Sequence, residues 1–288
     1  MLPNLRPTLL SVMAHPDDET FGMGGTLAWY ARAGAITQLI CATGGEMGDV
    51  APEYLEGYAS IADRRRAELE CATTTLGIAK VIMLGYRDSG MEGAPANQHP
   101  EALAAAPIEE VAARVTQHIR ALRPQVVVTF DPIGGYRHPD HIAIHRATVR
   151  AFHAAGDLHA YPSDLPPHTP QKLYYQTFPR GLLRFVVRMM PLFGRDPRHF
   201  GRNGDIDIAS IAETDFPIHT TIDYLSVAEI RAIASACHAS QGGNSPMMRG
   251  LPPKLLALFG GRETFMRAYP PAAPGLREDD LFAGVVYK

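Results

Sequence analysis

The sequence predicts an α/β fold: a Rossmann-like, mostly parallel sheet with helices on both faces, in one domain over residues 1–288. Three observations predict it. Four short apolar runs in the first half alternate with helix-length segments, the pattern of strands joined by crossover helices. Each run ends in a polar segment, all but the first with glycine. A chain of 288 residues, 46% apolar, is long enough to bury both faces of such a sheet.

The elements follow in order. Thr8 to Ala14 (TLLSVMA) is the first strand and runs into HPDDE. In the next segment Phe21, Leu27, Ala28 and Ala31 line one helical face, and Gly34 stops the helix. Ile36 to Ala42 is the second strand. Asp63 to Leu76 is a helix ending at Gly77, and Lys80 to Gly85 is the third strand. Pro107 to Leu122 is a helix with proline in its first turn. Gln125 to Phe130 (QVVVTF) is a buried strand, and His141 to Ala155 is again helical. In a parallel sheet, ligands bind beyond the carboxyl ends of the strands. HPDDE, TGGEMGD, GYRDSGM and DPIGGYRHPDH, which follow the four strands, should therefore gather at one edge.

The second half is less regular. Residues 156–172, rich in Pro and His, read as loop, and about 156–215 as an irregular insertion acting as lid or oligomer contact. Within it, 180–193 spaces Arg180, Arg184 and Arg188 on one helical face opposite an apolar one that includes Phe185 and Val186, and Pro191 ends it. That apolar face suits a lid or a homo-oligomer contact; the basic face alternatively suits an anionic membrane surface. Residues 194–205 read as a basic loop. Ser226 to His238 reads as a helix with a capping box of Ser226 and Glu229.

Composition excludes several classes. The net charge is -3, so no basic excess points to nucleic acid. No apolar stretch approaches the roughly 18 residues of a membrane span. The N-terminus lacks the pattern of a secretory signal, and the expectation is a soluble cytoplasmic protein. Three widely spaced cysteines, Cys41, Cys71 and Cys237, argue against a disulfide framework and against a cysteine-only zinc site. Cys41 reads as core. GMGG at 22–25 lacks the dinucleotide-binding spacing and reads as close helix packing; GxSxG is absent.

The chemistry lies at two strand ends. In HPDDE, His15 and Asp18 are three apart and can converge where the chain turns into a helix. Imidazole and carboxylate suit zinc, and also iron or manganese. Asp17 is left over, placed to act as general base on an activated water. Taken alone, the pentapeptide reads first as a helix cap. HPDH at 138–141 changes that reading, because it offers His138, Asp140 and His141 at an equivalent strand end. Three ligands and an open position make a catalytic zinc site. Arg65 and Glu68 read as a solvated ion pair, and Asp88, Ser89 and Gly90 as a turn.

With these motifs the chain resembles the LmbE-like, or PIG-L-like, N-deacetylases. AHPDDE at 14–19 and HPDH at 138–141 carry the resemblance, joined by TGGEMGD at 43–49, RRAE at 65–68, GYRDSGM at 85–91, DPIGGYRHPDH at 131–141 and CHASQ at 237–241. It covers about residues 8–155 and a patch near 219–241. The resemblance implies zinc-dependent release of acetate from N-acetylglucosaminyl glycosides, with Fe2+ as another possible metal. GYRDSGM followed by Pro95 and Asn97 is similar to the mycothiol and bacillithiol deacetylases and the thiol-conjugate amidases. By position it implies His15, Asp18 and His141 as metal ligands and Asp17 as base. It implies His138 and Tyr136 at the oxyanion, Asp140 as the residue orienting an imidazole, and Glu46, Arg65 and Asp88 as sugar contacts. Arg137 departs from the small residue expected between Tyr136 and His138 and adds a positive charge there. Competing expectations are an amidase for a larger acyl group, a non-catalytic sugar-binding module and a metal-dependent phosphoesterase.

Overall fold

The computed structural model describes residues 6–199, 204, 207–243 and 261–287. Strand β1 is Thr8–Met13, helix α1 Asp18–Arg32, β2 Ile36–Thr43, α2 Ile61–Leu76, β3 Lys80–Tyr86 and α3 Ile108–Leu122. Then come β4 Val126–Thr129, the short α4 Gly134–Arg137, α5 Pro139–Ala154 and β5 Lys172–Thr177. The remainder is α6 Gly181–Met189, α7 Ile208–Glu213, β6 Thr220–Asp223, α8 Ala228–Cys237 and β7 Arg262–Tyr269.

The sheet has seven strands in the order β3-β2-β1-β4-β5-β7-β6. The first five in sequence are parallel; β7 runs antiparallel to both β5 and β6. Every residue of β1 and β4 is buried, as strands covered on both faces require. The chain leaves β1 toward β2 on one side and returns through β4 on the other. The gap between the ends of β1 and β4 is thus the topological switch point, where open α/β sheets hold ligands.

Local chemistry explains the helix ends. The Ser60 hydroxyl accepts from Asp63 N at 3.1 Å and caps α2, which Gly77 closes with φ 76°. Pro107 sits at the N-cap of α3, and Val111, Val115 and Ile119 bury its apolar stripe. The GMGG glycines allow close approach, as expected: a Cβ on Gly25 would lie 2.2 Å from the Tyr224 ring.

Other expectations need correction. The Ser226–Glu229 capping box does not form. Asp223 accepts from Leu225 N at 2.9 Å and starts a 3-10 turn, Leu225–Val227, that absorbs Ser226 before α8 begins. Cys71 of α2 and Cys237 of α8 form a disulfide, with Cα atoms 5.8 Å apart. Their 166-residue separation hid a contact made when the two helices pack. Cys41 is buried, as expected. In the 180–193 segment the arginines are not one free face. Buried Arg180 reaches Asp131 at 3.3 Å, and Arg184 donates to Ala212 O at 2.9 Å and pairs with Asp215. The apolar residues divide too: Leu183, Val187 and Met190 pack on Ile208 and Ile211, while Phe185 and Val186 are exposed. The helix does end at the proline: α6 stops at Met189, and Pro191 lies in the 3-10 turn Met190–Phe193 that follows. Of the 194–205 loop, residues 200–203 and 205 lie outside the described residues. No helix among the described residues is long and apolar enough to cross a membrane.

Arg120 is the largest fully buried side chain. Its guanidinium donates to Ala154 O, Ala155 O, Asp157 O, Ala160 O and Tyr161 O at 2.6–3.3 Å, with no carboxylate partner among the described residues. It thus caps the carbonyl end of α5 and gathers the following loop. Arg120→Met should lower unfolding stability by about 3 kcal/mol or more, since several buried carbonyls lose their donor. Chemical denaturation measures this, and a loss under about 1 kcal/mol would contradict it.

Candidate metal centre and active site

The carboxyl ends of β1 and β4 bring HPDDE and HPDH together. His15 Nδ1 lies 3.2 Å from His141 Nε2. Asp18 closes the group, with Oδ1 3.3 Å from His141 Nε2 and Oδ2 3.5 Å from His15 Nδ1. The second nitrogen of each ring is engaged: His15 Nε2 with Asp140 Oδ2 at 3.1 Å, His141 Nδ1 with Gly134 O at 3.2 Å. A ring nitrogen facing an acceptor carries the proton, which leaves a lone pair on its counterpart. Two imidazole lone pairs and the Asp18 carboxylate, with one oxygen toward each ring, therefore face one another. Such a donor set repels itself unless a cation or proton lies among it, so these residues fit a divalent metal.

The electrostatics agree. Burial opposes charge on His15, but Asp140, Asp18 and Asp88 around it raise its basicity well above that of a free imidazole. Burial would raise the Asp18 carboxyl, yet His141 and His15 hold it well below the usual carboxylate range. Burial pushes His141 down to about 4 and, with His15 and His141 adding to it, His138 down to about 3. Burial lifts Asp17 to about 6 against the pull of Arg65.

Supporting contacts hold each ring. Phe130 stacks on His141 at 3.9 Å between centroids. Ser89 donates to Asp140 from its backbone N at 2.9 Å and from its hydroxyl. His138 caps α5, its Nδ1 accepting from Asp140 N at 3.1 Å. The Tyr136 ring lies 4.9 Å from that of His141 and 5.8 Å from that of His138. Gly134 has φ 66°, and a Cβ there would meet the His141 Cβ at 2.7 Å, so the turn needs glycine. The donor atoms of His15, His138 and His141 lie within 4.8 Å of one another, as do those of His15, Asp88, His138 and Asp140. Geometry alone thus admits His138 as a ligand beside the set expected from the sequence.

Asp17 Oδ2 is 3.0 Å from Arg65 Nη2, and its backbone has φ 124°. Buried Arg65 also donates to Pro16 O at 2.6 Å and Gly45 O at 2.9 Å. It is therefore no solvated partner of Glu68, which pairs with Arg64 at 2.9 Å and accepts from Ser240 N at 2.8 Å. Asp88 is buried and accepts from Gly90 N at 2.8 Å and Met47 N at 3.2 Å, with Oδ1 3.5 Å from His15 Nε2. Glu46 is half-buried and accepts from Asp88 N at 2.9 Å. Arg137 has φ 68°, a left-handed backbone that residues with a side chain rarely adopt; its buried Nε has no hydrogen-bond partner among the described residues.

A supporting layer behind these residues is not visible in the local sequence pattern. Glu19 accepts from Asp17 N at 2.9 Å and meets His238 Nε2 at 2.7 Å, both side chains being fully buried. Ser89, expected only as part of a turn, joins this layer through Asp140. The signals were the third acid of HPDDE, Glu19, and the His of CHASQ, but their pairing spans 219 residues.

The family profile described as PIG-L: GlcNAc-PI de-N-acetylase matches residues 10–152. A 1D-myo-inositol 2-acetamido-2-deoxy-alpha-D-glucopyranoside deacetylase 2 of Catenulispora acidiphila is 36% identical, over 96% of this chain and 97% of its own. The chain belongs to the PIG-L, or LmbE-like, deacetylase family. A second such family member, from Geodermatophilus obscurus, bears the name 1D-myo-inositol 2-acetamido-2-deoxy-alpha-D-glucopyranoside deacetylase and is 37% identical over 99% of both chains. Among solved structures, the N,N'-diacetylchitobiose deacetylase of Pyrococcus horikoshii superposes with a TM-score of 0.62 at 20% identity, over 91% of this chain and 84% of that one. That likeness supports the family's α/β fold.

Proposed function

We propose that this chain is a metal-dependent deacetylase of an N-acetylglucosaminyl glycoside, with myo-inositol as the aglycone and low-molecular-weight thiol biosynthesis as its setting. One observation carries the reading: His15 Nδ1, His141 Nε2 and Asp18 converge within 3.5 Å while Asp17 remains beside them, outside the donor group. Relatives named for the inositol glycoside match over nearly the whole chain, which supports the aglycone.

The residues divide the work as follows. His15, Asp18 and His141 would hold Zn2+, with Fe2+ as the alternative. The bound cation supplies Lewis-acid polarisation of the amide carbonyl and acidifies water. Asp17 takes the proton of the attacking water at its carboxylate, which Arg65 holds in place at 3.0 Å. His138 Nε2 and the Tyr136 hydroxyl stabilise the oxyanion of the tetrahedral intermediate. Asp140 fixes the tautomer of His15 through Nε2. The proton held on Asp17 then passes to the leaving amine. Glu46, in the middle of TGGEMGD, and Asp88, in GYRDSGM, face the sugar.

The test is mass-spectrometric detection of free amine across a panel of N-acetylglucosaminyl glycosides with defined metals. The expected result is deacetylation of the myo-inositol glycoside, abolished by a chelator and restored by zinc. A panel with no amine released under any metal would overturn the proposal; faster turnover of a malate glycoside would move the aglycone.

A further inference from the structure

Next to the metal centre lies a second cavity of different character. Its volume is about 290 Å³, and its walls include Tyr136, Phe178, Leu183, Ile208 and Ile211. The charged residue on its wall, Arg180, turns its guanidinium away, onto Asp131 Oδ2 at 3.3 Å and Ile211 O. Only the hydrocarbon stem of Arg180 is left for the cavity. A water there would find almost none of the two to four polar partners it needs. Phe178, at the rim, leaves 48% of its surface exposed.

Position links this cavity to the chemistry. The Tyr136 ring forms part of its wall and also stands 4.9 Å from the His141 ring. A group a few bonds from an amide held at the metal centre therefore reaches the cavity around one side chain. On the other side, a polar cleft of about 410 Å³ carries Glu46, Arg87, Glu101, Glu110 and Arg114. Polyol hydroxyls find donors and acceptors there and almost none in the apolar cavity. The helices α6 and α7 that build the cavity already pack on each other through Leu183, Val187, Met190, Ile208 and Ile211. The empty space is thus bounded by a packed wall.

We propose that this cavity is a substrate subsite for an apolar chain or ring carried by the amino-sugar substrate. The proposal rests on the reading of the adjoining centre as an amide hydrolase. The apolar group has two possible sources: an N-acyl chain longer than acetyl, or an apolar substituent on the aglycone.

Two substrate series separate them. One holds methyl 2-acylamino-2-deoxyglucopyranosides with acetyl, butanoyl and hexanoyl groups; the other holds 2-acetamido-2-deoxyglucopyranosides with methyl, butyl and hexyl aglycones. In one series kcat/KM should rise about fourfold per added methylene, the gain from burying each in an apolar site. Leu183→Trp, which fills the cavity, and Phe178→Ser, which opens its exposed rim, should flatten the rise while keeping turnover of the shortest substrate. Calorimetric binding of the hexyl and hexanoyl compounds to wild type and both variants gives a readout independent of catalysis. A flat profile in both series, or a rise that survives both variants, overturns the subsite. Turnover of the shortest substrate with flat profiles would leave the hydrolase reading standing. Chain-length-dependent binding without turnover of any compound would do the reverse.

Discussion

Asp17→Asn should lower turnover about 10²- to 10⁴-fold, the contribution of a positioned general base, while metal content stays at the wild-type level. The amide keeps the shape of the carboxylate, and its oxygen can still accept from Arg65 Nη2, now at 3.0 Å from Asp17 Oδ2. Arg65 also keeps its bonds to Pro16 O and Gly45 O, so the guanidinium is not left stranded. Asparagine tolerates positive φ better than most residues, which suits the φ of 124° at this position. The checks are steady-state kinetics and elemental analysis of the same dialysed sample. Near-normal turnover would remove Asp17 from the role of base; lost metal would make it a ligand instead.

His141→Ala should weaken zinc affinity by more than about 100-fold, beyond the 10- to 100-fold that loss of a supporting partner costs. His138→Ala should keep metal and lose turnover. The pair of variants matters because the geometry allows both rings near a metal: donor atoms of His15, His138 and His141 lie within 4.8 Å of one another. His141 differs from His138 in having Nδ1 tied to Gly134 O and a ring stacked on Phe130, which aim Nε2 at His15. Metal titration by calorimetry decides between them. Unchanged affinity in His141→Ala with lost affinity in His138→Ala would exchange their roles.

Much of this arrangement was legible in the sequence. Alternating apolar runs and helical segments specify a parallel sheet, and the motifs after β1 and β4 follow its strand ends. The sheet order then makes β1 and β4 neighbours, so HPDDE and HPDH meet. What local pattern could not supply were partners chosen by packing. Arg65 reads as a surface residue beside Glu68, yet α2 packs so that its guanidinium points inward to Asp17. The Ser226–Glu229 box lost to an earlier turn made by Asp223, two bonds of similar strength competing for adjacent residues.

The sequence by itself determined the four parallel strands β1 to β4 and the pair of His/Asp clusters at their ends, while β5, β6 and the antiparallel β7 emerge only in the structure. It did so because hydrophobic periodicity and motif spacing are local properties, carried by neighbouring residues. Only the tertiary structure decided which atoms face one another: His15 Nδ1 toward His141, Asp140 and Ser89 behind His15, Glu19 on His238, Cys71 on Cys237, and an apolar cavity behind Tyr136. These contacts join residues up to 219 positions apart, and they form only when packed helices and strands bring them together.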